Sequence, residues 1–269
     1  MPGPDHLWHI DGYDKLKPFG FSIHGCIDGF SRRIIWLEVC PSNKNPQVIV
    51  NFFLDAAKQL NGIPLRIRCD DGSENSIIEP IQIALRSLDD DEFSGAGSFL
   101  IGTSSANQRI ECYWSQFRKE RPMWWRDFFK DLVNVGMLDI GVPAVTECIR
   151  YCFMDILREE LTDVALRWNQ HILAPSQNVS LPRGKPNSLY FLPQMYNTYS
   201  YRKIIDFDEF TIFDHPAISK KPEDNSPEFL EFVEVAIEHK GIENYSKPKT
   251  IKDALDLYFM LLELIKEHM

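Results

Sequence analysis

The sequence of 269 residues carries 39 acidic against 29 basic side chains, a net charge of −10. An acidic balance argues against a generic nucleic-acid-binding protein, which usually has a basic face, although the distribution of charge matters more than its sum. The hydrophobic share of 44% suits one large domain or a domain with a small appendix. No apolar run is long enough for a transmembrane helix, and the first residues lack the basic and apolar pattern of a secretory signal.

The six cysteines favour an intracellular protein with reduced, buried thiols. None forms a CxxC pair, and no cysteine pair accompanies the neighbouring His6 and His9, as a zinc site would require. The sequence therefore predicts neither a disulfide framework nor a structural zinc module.

The first seventy residues predict a sheet with one helix. Alternating apolar residues predict strands over 7–13, 20–29 and 32–39, spaced closely enough for an antiparallel meander. An apolar stripe from Pro46 to Leu60 predicts a helix, and Pro46 suits its first turn. Leu65 to Cys69 reads as a buried strand that ends in a turn at Asp70-Asp71-Gly72.

The rest of the chain is mainly helical in pattern. A brief strand is predicted at 99–101, an exposed loop at 89–97 and irregular chain at 172–198. Helices are predicted over 79–87, 107–120, 124–135, 143–171 (with room for one break), 228–239 and 250–267. Since residues 201–269 hold 15 acidic against 9 basic side chains, we expect two parts: a domain of residues 1–198 and an acidic, mainly helical appendix of residues 199–269.

Three acidic residues stand at informative positions. Asp11 lies inside an apolar strand, Asp70 closes a strand, and Glu111 lies near the start of a helix. Each alone is readily explained as a cap or turn residue, but the three can converge in a sheet of this kind. Convergent carboxylates need a cation between them, and Mg²⁺ prefers oxygen ligands.

Four segments together resemble the catalytic core of retroviral and transposon integrases: LWHIDGY, CIDGFSRRIIWLEV, RIRCDDGSEN and SSANQRIECYW. The residues that match the family motifs after the first-strand Asp11 are Asp28, Phe30 and Ser31; Asp70, Gly72 and Glu74; and Asn107 and Glu111. Trp168-Asn169-Gln170-His171, with Pro175 and Pro182, resembles the tail motif of many transposon integrases. The resemblance covers roughly residues 5–192, and it is closest to animal proteins with an integrase catalytic domain.

The resemblance implies a ribonuclease-H-like α/β fold, with a mixed sheet of about five strands flanked by helices and followed by helical C-terminal additions. It implies that Asp11, Asp70 and Glu111 hold two Mg²⁺ or Mn²⁺ ions, with one ion shared by Asp11 and Asp70. The expected activity is DNA cleavage and strand transfer, in which a water or a DNA 3′ hydroxyl attacks a phosphodiester. A nuclear location and a homo-oligomer are expected with it.

Six residues are candidate DNA contacts. Lys15 and Lys17 follow Asp11 in a loop, where they would meet phosphate. The resemblance adds Arg118, Lys119, Arg109 and Asn107 around the predicted catalytic helix.

Some features depart from the family pattern and leave alternatives open. Asp71 stands where the family usually has Asn, Asn75 stands where it often has Phe, and the N-terminal zinc-binding module is absent. The acidic C-terminal segment replaces an expected basic tail and suggests a protein partner. One alternative is therefore a domesticated, non-catalytic module that binds nucleic acid or protein, and another is a nuclease of the same fold that only hydrolyses.

Overall fold

The computed structural model describes residues 1–119, 121–173, 182–205, 213, 218, 221–242 and 244–268. The strands are β1 (Trp8–Tyr13), β2 (Ser22–Asp28), β3 (Ile34–Cys40), β4 (Ile67–Asp70) and β5 (Phe99–Gly102). The α-helices are α1 (Pro46–Leu60), α2 (Ile78–Leu85), α3 (Gln108–Phe117), α4 (Arg121–Asn134), α5 (Pro143–Gln170), α6 (Pro186–Phe191), α7 (Pro227–His239) and α8 (Ile251–His268).

The strands form one mixed sheet in the order β3-β2-β1-β4-β5. The first three strands form the antiparallel meander that their close spacing predicts, and β4 and β5 join it in parallel. A parallel strand needs a crossover, and α1 supplies the crossover from β3 to β4. This topology, with helices on both faces, confirms the predicted ribonuclease-H-like fold.

The alternation of side chains along β1 divides the hydrophobic core in two. Trp8 and Ile10, both 0% exposed, face the layer formed by α1 and α2. Tyr13 faces the opposite layer, which contains α3, α4 and α5. The sheet is therefore covered on both faces, and each second residue of β1, including Asp11, turns toward α3.

The C-terminal end of α5 closes the edge of the sheet at β3. Asn169 Oδ1 accepts a hydrogen bond from Ile34 N at 2.8 Å, and Asn169 Nδ2 donates to Ile34 O at 3.0 Å. Trp168 Nε1 donates to Arg32 O at 2.7 Å. The Trp-Asn pair of the tail motif thus satisfies backbone groups that an edge strand would leave exposed.

The last two helices share the core of the sheet domain. Tyr258 and Leu261 of α8 are 0% exposed and belong to the same hydrophobic cluster as α3 and α5. Tyr151 of α5 also packs against Phe229 of α7, with ring centroids 6.1 Å apart. The described part of the acidic segment is therefore packed on α5 rather than extended away from it.

The structure differs from the sequence expectations in two elements. The helix α5 runs unbroken from Pro143 to Gln170, although one break was allowed for. The stretch 172–198, predicted to be irregular, contains α6, which begins at Pro186; proline suits the first turn because its missing N–H is not needed there. The acidic, aromatic stretch 206–212 lies outside the described residues.

All six cysteines are free thiols, and Cys112 is exposed, unlike the buried thiols expected. Among the described helices, none is long and apolar enough to cross a membrane.

Candidate active site

The site is centred on Asp11, which lies in the middle of β1 on the face turned toward α3. Gly25 of β2 is its partner across the antiparallel ladder. Trp114, on α3, fills the space above this pair, and its Nε1 donates a hydrogen bond to Asp11 Oδ2 at 2.9 Å. The indole therefore fixes the orientation of the Asp11 carboxylate.

Gly25 makes this contact possible. A Cβ atom at position 25 would lie 2.8 Å from Cη2 of Trp114, closer than real Cβ atoms approach a neighbour. Because Gly25 has no side chain, the indole of Trp114 can pass close to β2 and reach Asp11 on β1. Neither Gly25 nor Trp114 was among the predicted site residues, since periodicity does not show which side chains meet across 103 positions.

Asp70 and Glu111 approach Asp11 from two other elements. The parallel register pairs His9 with Arg68, so its continuation places Asp70, the last residue of β4, level with Asp11. Glu111 lies in the first turn of α3. Burial raises the pKa of Asp11 to about 7, and the negative charges of Asp70 and Glu111 contribute to this rise, whereas the Trp114 hydrogen bond opposes it. Asp11 thus lies within electrostatic range of both Asp70 and Glu111.

An open pocket of about 400 Å³ lies over Asp11 and Glu111. Trp114 forms part of its lining, and two exposed cations, Lys15 and Arg118, also line it. Phosphate groups favour guanidinium and ammonium donors. The pocket therefore combines carboxylates on one side with phosphate-binding side chains on the other.

The donor set suits a hard cation, but it is not a closed cage. Within the described ranges, no group of three His, Cys, Asp or Glu side chains is close enough to hold a metal ion. Carboxylate oxygens are nevertheless the ligands that Mg²⁺ prefers, and it usually completes its octahedron with waters and substrate phosphates. The assignment of Asp11, Asp70 and Glu111 as metal ligands remains a prediction.

Asn107 is 1% exposed, so it has no surface to offer to the DNA it was expected to contact. Its Nδ2 donates to Ile10 O at 2.8 Å, and its Oδ1 lies 2.7 Å from His9 Nδ1. Burial lowers the pKa of His9 to about 4, so its ring is neutral. Asn107 therefore fastens the start of α3 to β1, one turn before Glu111.

The remaining predicted DNA contacts lie outside this pocket. Lys17 is paired with Asp14, with Nζ 2.9 Å from Oδ2. Lys119 is exposed just beyond α3. Burial lowers the pKa of Arg32, and the positive charge of Arg109 lowers it further, which places Arg109 beside Arg32 rather than beside Arg118. The structure thus brings only Lys15 and Arg118 of the predicted cations to the carboxylates.

The motif around Asp28 is structural in this protein. Asp28 Oδ2 accepts hydrogen bonds from Ser31 N at 2.7 Å and Ser31 Oγ at 2.6 Å, and its Oδ1 accepts one from Asp5 N at 2.7 Å. Burial and the neighbouring Asp5 raise the pKa of Asp28 to about 7. The turn between β2 and β3 is held by this fully buried carboxyl, away from the pocket.

A mixed sheet of this strand order, with acidic residues on two adjacent strands and on the helix above them, defines the ribonuclease-H-like fold class. A family model described as "Integrase core domain" matches residues 1–200. The chain belongs to the integrase core domain family.

A solved structure similar to this chain is the HTLV-2 integrase catalytic core domain in complex with magnesium, in a trimeric form. The two are 16% identical, with a TM-score of 0.37, and the match covers 70% of this chain and 97% of that chain. No protein with a curated function matches the sequence.

Proposed function

We propose that this protein is a metal-dependent polynucleotidyl transferase that cleaves and joins DNA phosphodiesters. The observation that carries the proposal is the placement of Asp11 beside the charges of Asp70 and Glu111, at the base of a pocket that also presents Arg118 and Lys15. Uncompensated negative charge at the base of such a pocket is stabilised by bound cations.

Each residue of the candidate site has a separate role in the proposed reaction. Asp11, Asp70 and Glu111 would hold two Mg²⁺ or Mn²⁺ ions, which supply activation of the attacking oxygen and stabilisation of the leaving oxygen in phosphoryl transfer. Trp114 holds the Asp11 carboxylate in one orientation. Arg118 and Lys15 bind the phosphates that flank the reacting one, and Asn107 keeps Glu111 at a fixed height above the sheet.

The first experiment is Mn²⁺ binding by calorimetry, because it needs no knowledge of the DNA sequence. Wild type should bind, Asp70→Asn should not, and Asp71→Asn is the matched control because the neighbouring carboxylate is exposed. Equal loss of binding in the control would contradict the assignment of Asp70.

Catalysis is tested by strand transfer with a labelled DNA end. Glu111→Gln keeps the side-chain volume but removes one carboxylate, so it should abolish transfer while the folded structure survives. Transfer that persists in Glu111→Gln would refute the role of Glu111, and hydrolysis without joining would identify a nuclease.

A second candidate is a non-catalytic module derived from an integrase, and the net charge of −10 favours it. The two are separated by a salt titration of DNA binding. A core that contacts several phosphates should lose affinity with a log-log slope of about −0.9 per phosphate. Absence of DNA binding at low salt would favour a protein-interaction module. We also propose that the enzyme is a homo-oligomer and that it is located in the nucleus, and both properties can be measured on the same protein.

A further inference from the structure

A groove separate from the carboxylate pocket runs between α7 and α8. Its cavity measures about 560 Å³, and its floor is apolar, with Phe232, Val235 and Ala236 from α7 and Leu264 from α8. Val235 is 60% exposed, and it lies beside Phe232 and Ala236 in the lining of this cavity. The groove therefore presents apolar surface to solvent beyond what the packing of α7 on α5 requires.

The groove continues along α7 into a second cavity. This cavity of about 380 Å³ shares Glu228 and Phe232 with the first and extends the apolar floor to Ala144 and Ile265. The helix α7 has 13 residues, so it is about 20 Å long at 1.5 Å per residue. The two adjoining cavities therefore offer room for a short helix of about four turns laid along α7.

The rim of the groove is acidic. Glu228 and Glu231 of α7 and Glu267 of α8 line the first cavity together with His239, and all three carboxylates are exposed. Across the described part of the chain, none of them forms an ion pair, whereas Glu263 on the same helix α8 lies 3.6 Å from Lys240. Three carboxylates around an apolar floor favour a partner with apolar anchors flanked by lysine or arginine.

We propose that the α7–α8 groove, defined by Phe232, Val235, Ala236 and Leu264 with the rim Glu228, Glu231 and Glu267, binds a basic amphipathic helix of another protein. A second copy of this chain fits less well, since a symmetric contact through the groove would bring the same acidic rims together. The groove lies on the C-terminal helices and does not include Asp11, Asp70 or Glu111. This inference is therefore independent of catalysis.

The probe is a labelled helical peptide of about sixteen residues, with leucine at helix-periodic positions and lysine elsewhere, titrated with the full chain by fluorescence anisotropy. Saturable binding is expected, weakening with salt. Glu231→Lys should weaken it by about five- to tenfold, since reversal of a rim charge replaces an attraction with a repulsion. Val235→Asp should weaken it by at least tenfold, because it places a charge on the apolar floor.

The matched control is Glu234→Lys, which makes the same charge change at an exposed position of α7 that does not line the groove. The control should bind the peptide within about twofold of wild type. Equal weakening by Glu231→Lys and Glu234→Lys would show that the peptide senses only net charge and would overturn the proposal. Absence of saturable binding at low salt, or a dimer in ultracentrifugation that Val235→Asp dissociates, would overturn it as well.

Discussion

The hydrogen bond from Trp114 to Asp11 allows the proposed site to be tested without changing a carboxylate. Trp114→Phe keeps an aromatic ring over Gly25 but removes the indole N–H that lies 2.9 Å from Asp11 Oδ2. A hydrogen bond to a charged group contributes about 1.5–3 kcal/mol, and loss of a partner that orients a metal ligand lowers metal affinity by about 10–100-fold. Because the charge of Asp11 remains, we expect the lower end, an approximately tenfold rise in the dissociation constant for Mn²⁺.

The assay is calorimetry on three proteins: wild type, Trp114→Phe and Trp125→Phe. The control also removes an indole donor, because Trp125 Nε1 donates to Glu160 Oε2 at 2.7 Å, and neither residue lines the carboxylate pocket. Its Mn²⁺ affinity should equal that of wild type. If Trp114→Phe bound Mn²⁺ as tightly as wild type while Asp70→Asn lost binding, the orienting role of Trp114 would be wrong although the metal site would stand.

Two further predictions concern stability. His24 is buried, and burial lowers its pKa from 6.5 to about 3, so its ring stays neutral in the folded protein. Below pH 6.5 the unfolded chain binds a proton that the folded protein does not, so the free energy of unfolding falls as the pH falls toward 3. At 1.36 kcal/mol per pH unit, lowering the pH from 6.5 to 5 should reduce the free energy of unfolding of wild type by about 2 kcal/mol more than that of His24→Asn, as measured by urea unfolding. The same pH dependence in both proteins would contradict this prediction. Ser31→Ala removes the hydroxyl that lies 2.6 Å from Asp28 Oδ2 and should cost about 1–3 kcal/mol at about pH 8, where Asp28 is ionised. Ser42→Ala removes a hydroxyl that accepts an exposed backbone hydrogen bond from Lys44. It should cost under about 0.5 kcal/mol, and equal costs for the two variants would contradict the role given to Ser31 in the Asp28 turn.

The local elements were predictable because their signals are local. The helix over residues 46–60 matches its prediction to the residue, since Pro46 begins it, Asn45 caps it, and Asn61 ends it in a left-handed conformation. The elements that carry Asp11, Asp70 and Glu111 could be predicted because strand ends and helix starts are visible in the sequence.

Contacts between distant residues could not be predicted. Nothing in the sequence shows that the side-chain amide of Asn107 forms hydrogen bonds with His9 and Ile10. The sequence therefore predicts a DNA contact for a polar residue that is buried in the structure. Arg109 lies on α3 near its start and Arg118 at its end, nine residues later. At 100° per residue the two side chains point to opposite sides of the helix, and Arg109 lies near Arg32. Residue type and spacing in the sequence therefore predict the family and the fold, whereas the burial of a single polar side chain is visible only in the structure.

The family match ends at residue 200, but the hydrophobic core does not. The side chain of Cys148 on α5 lies against the backbone of Tyr258, with Sγ 3.8 Å from the carbonyl oxygen, and Tyr258 is itself 0% exposed. A chain shortened to the family boundary would leave this face of α5 bare and would be prone to aggregate. The acidic C-terminal helices are consequently part of the folded core, and the smallest stable unit extends beyond the boundary of the family match.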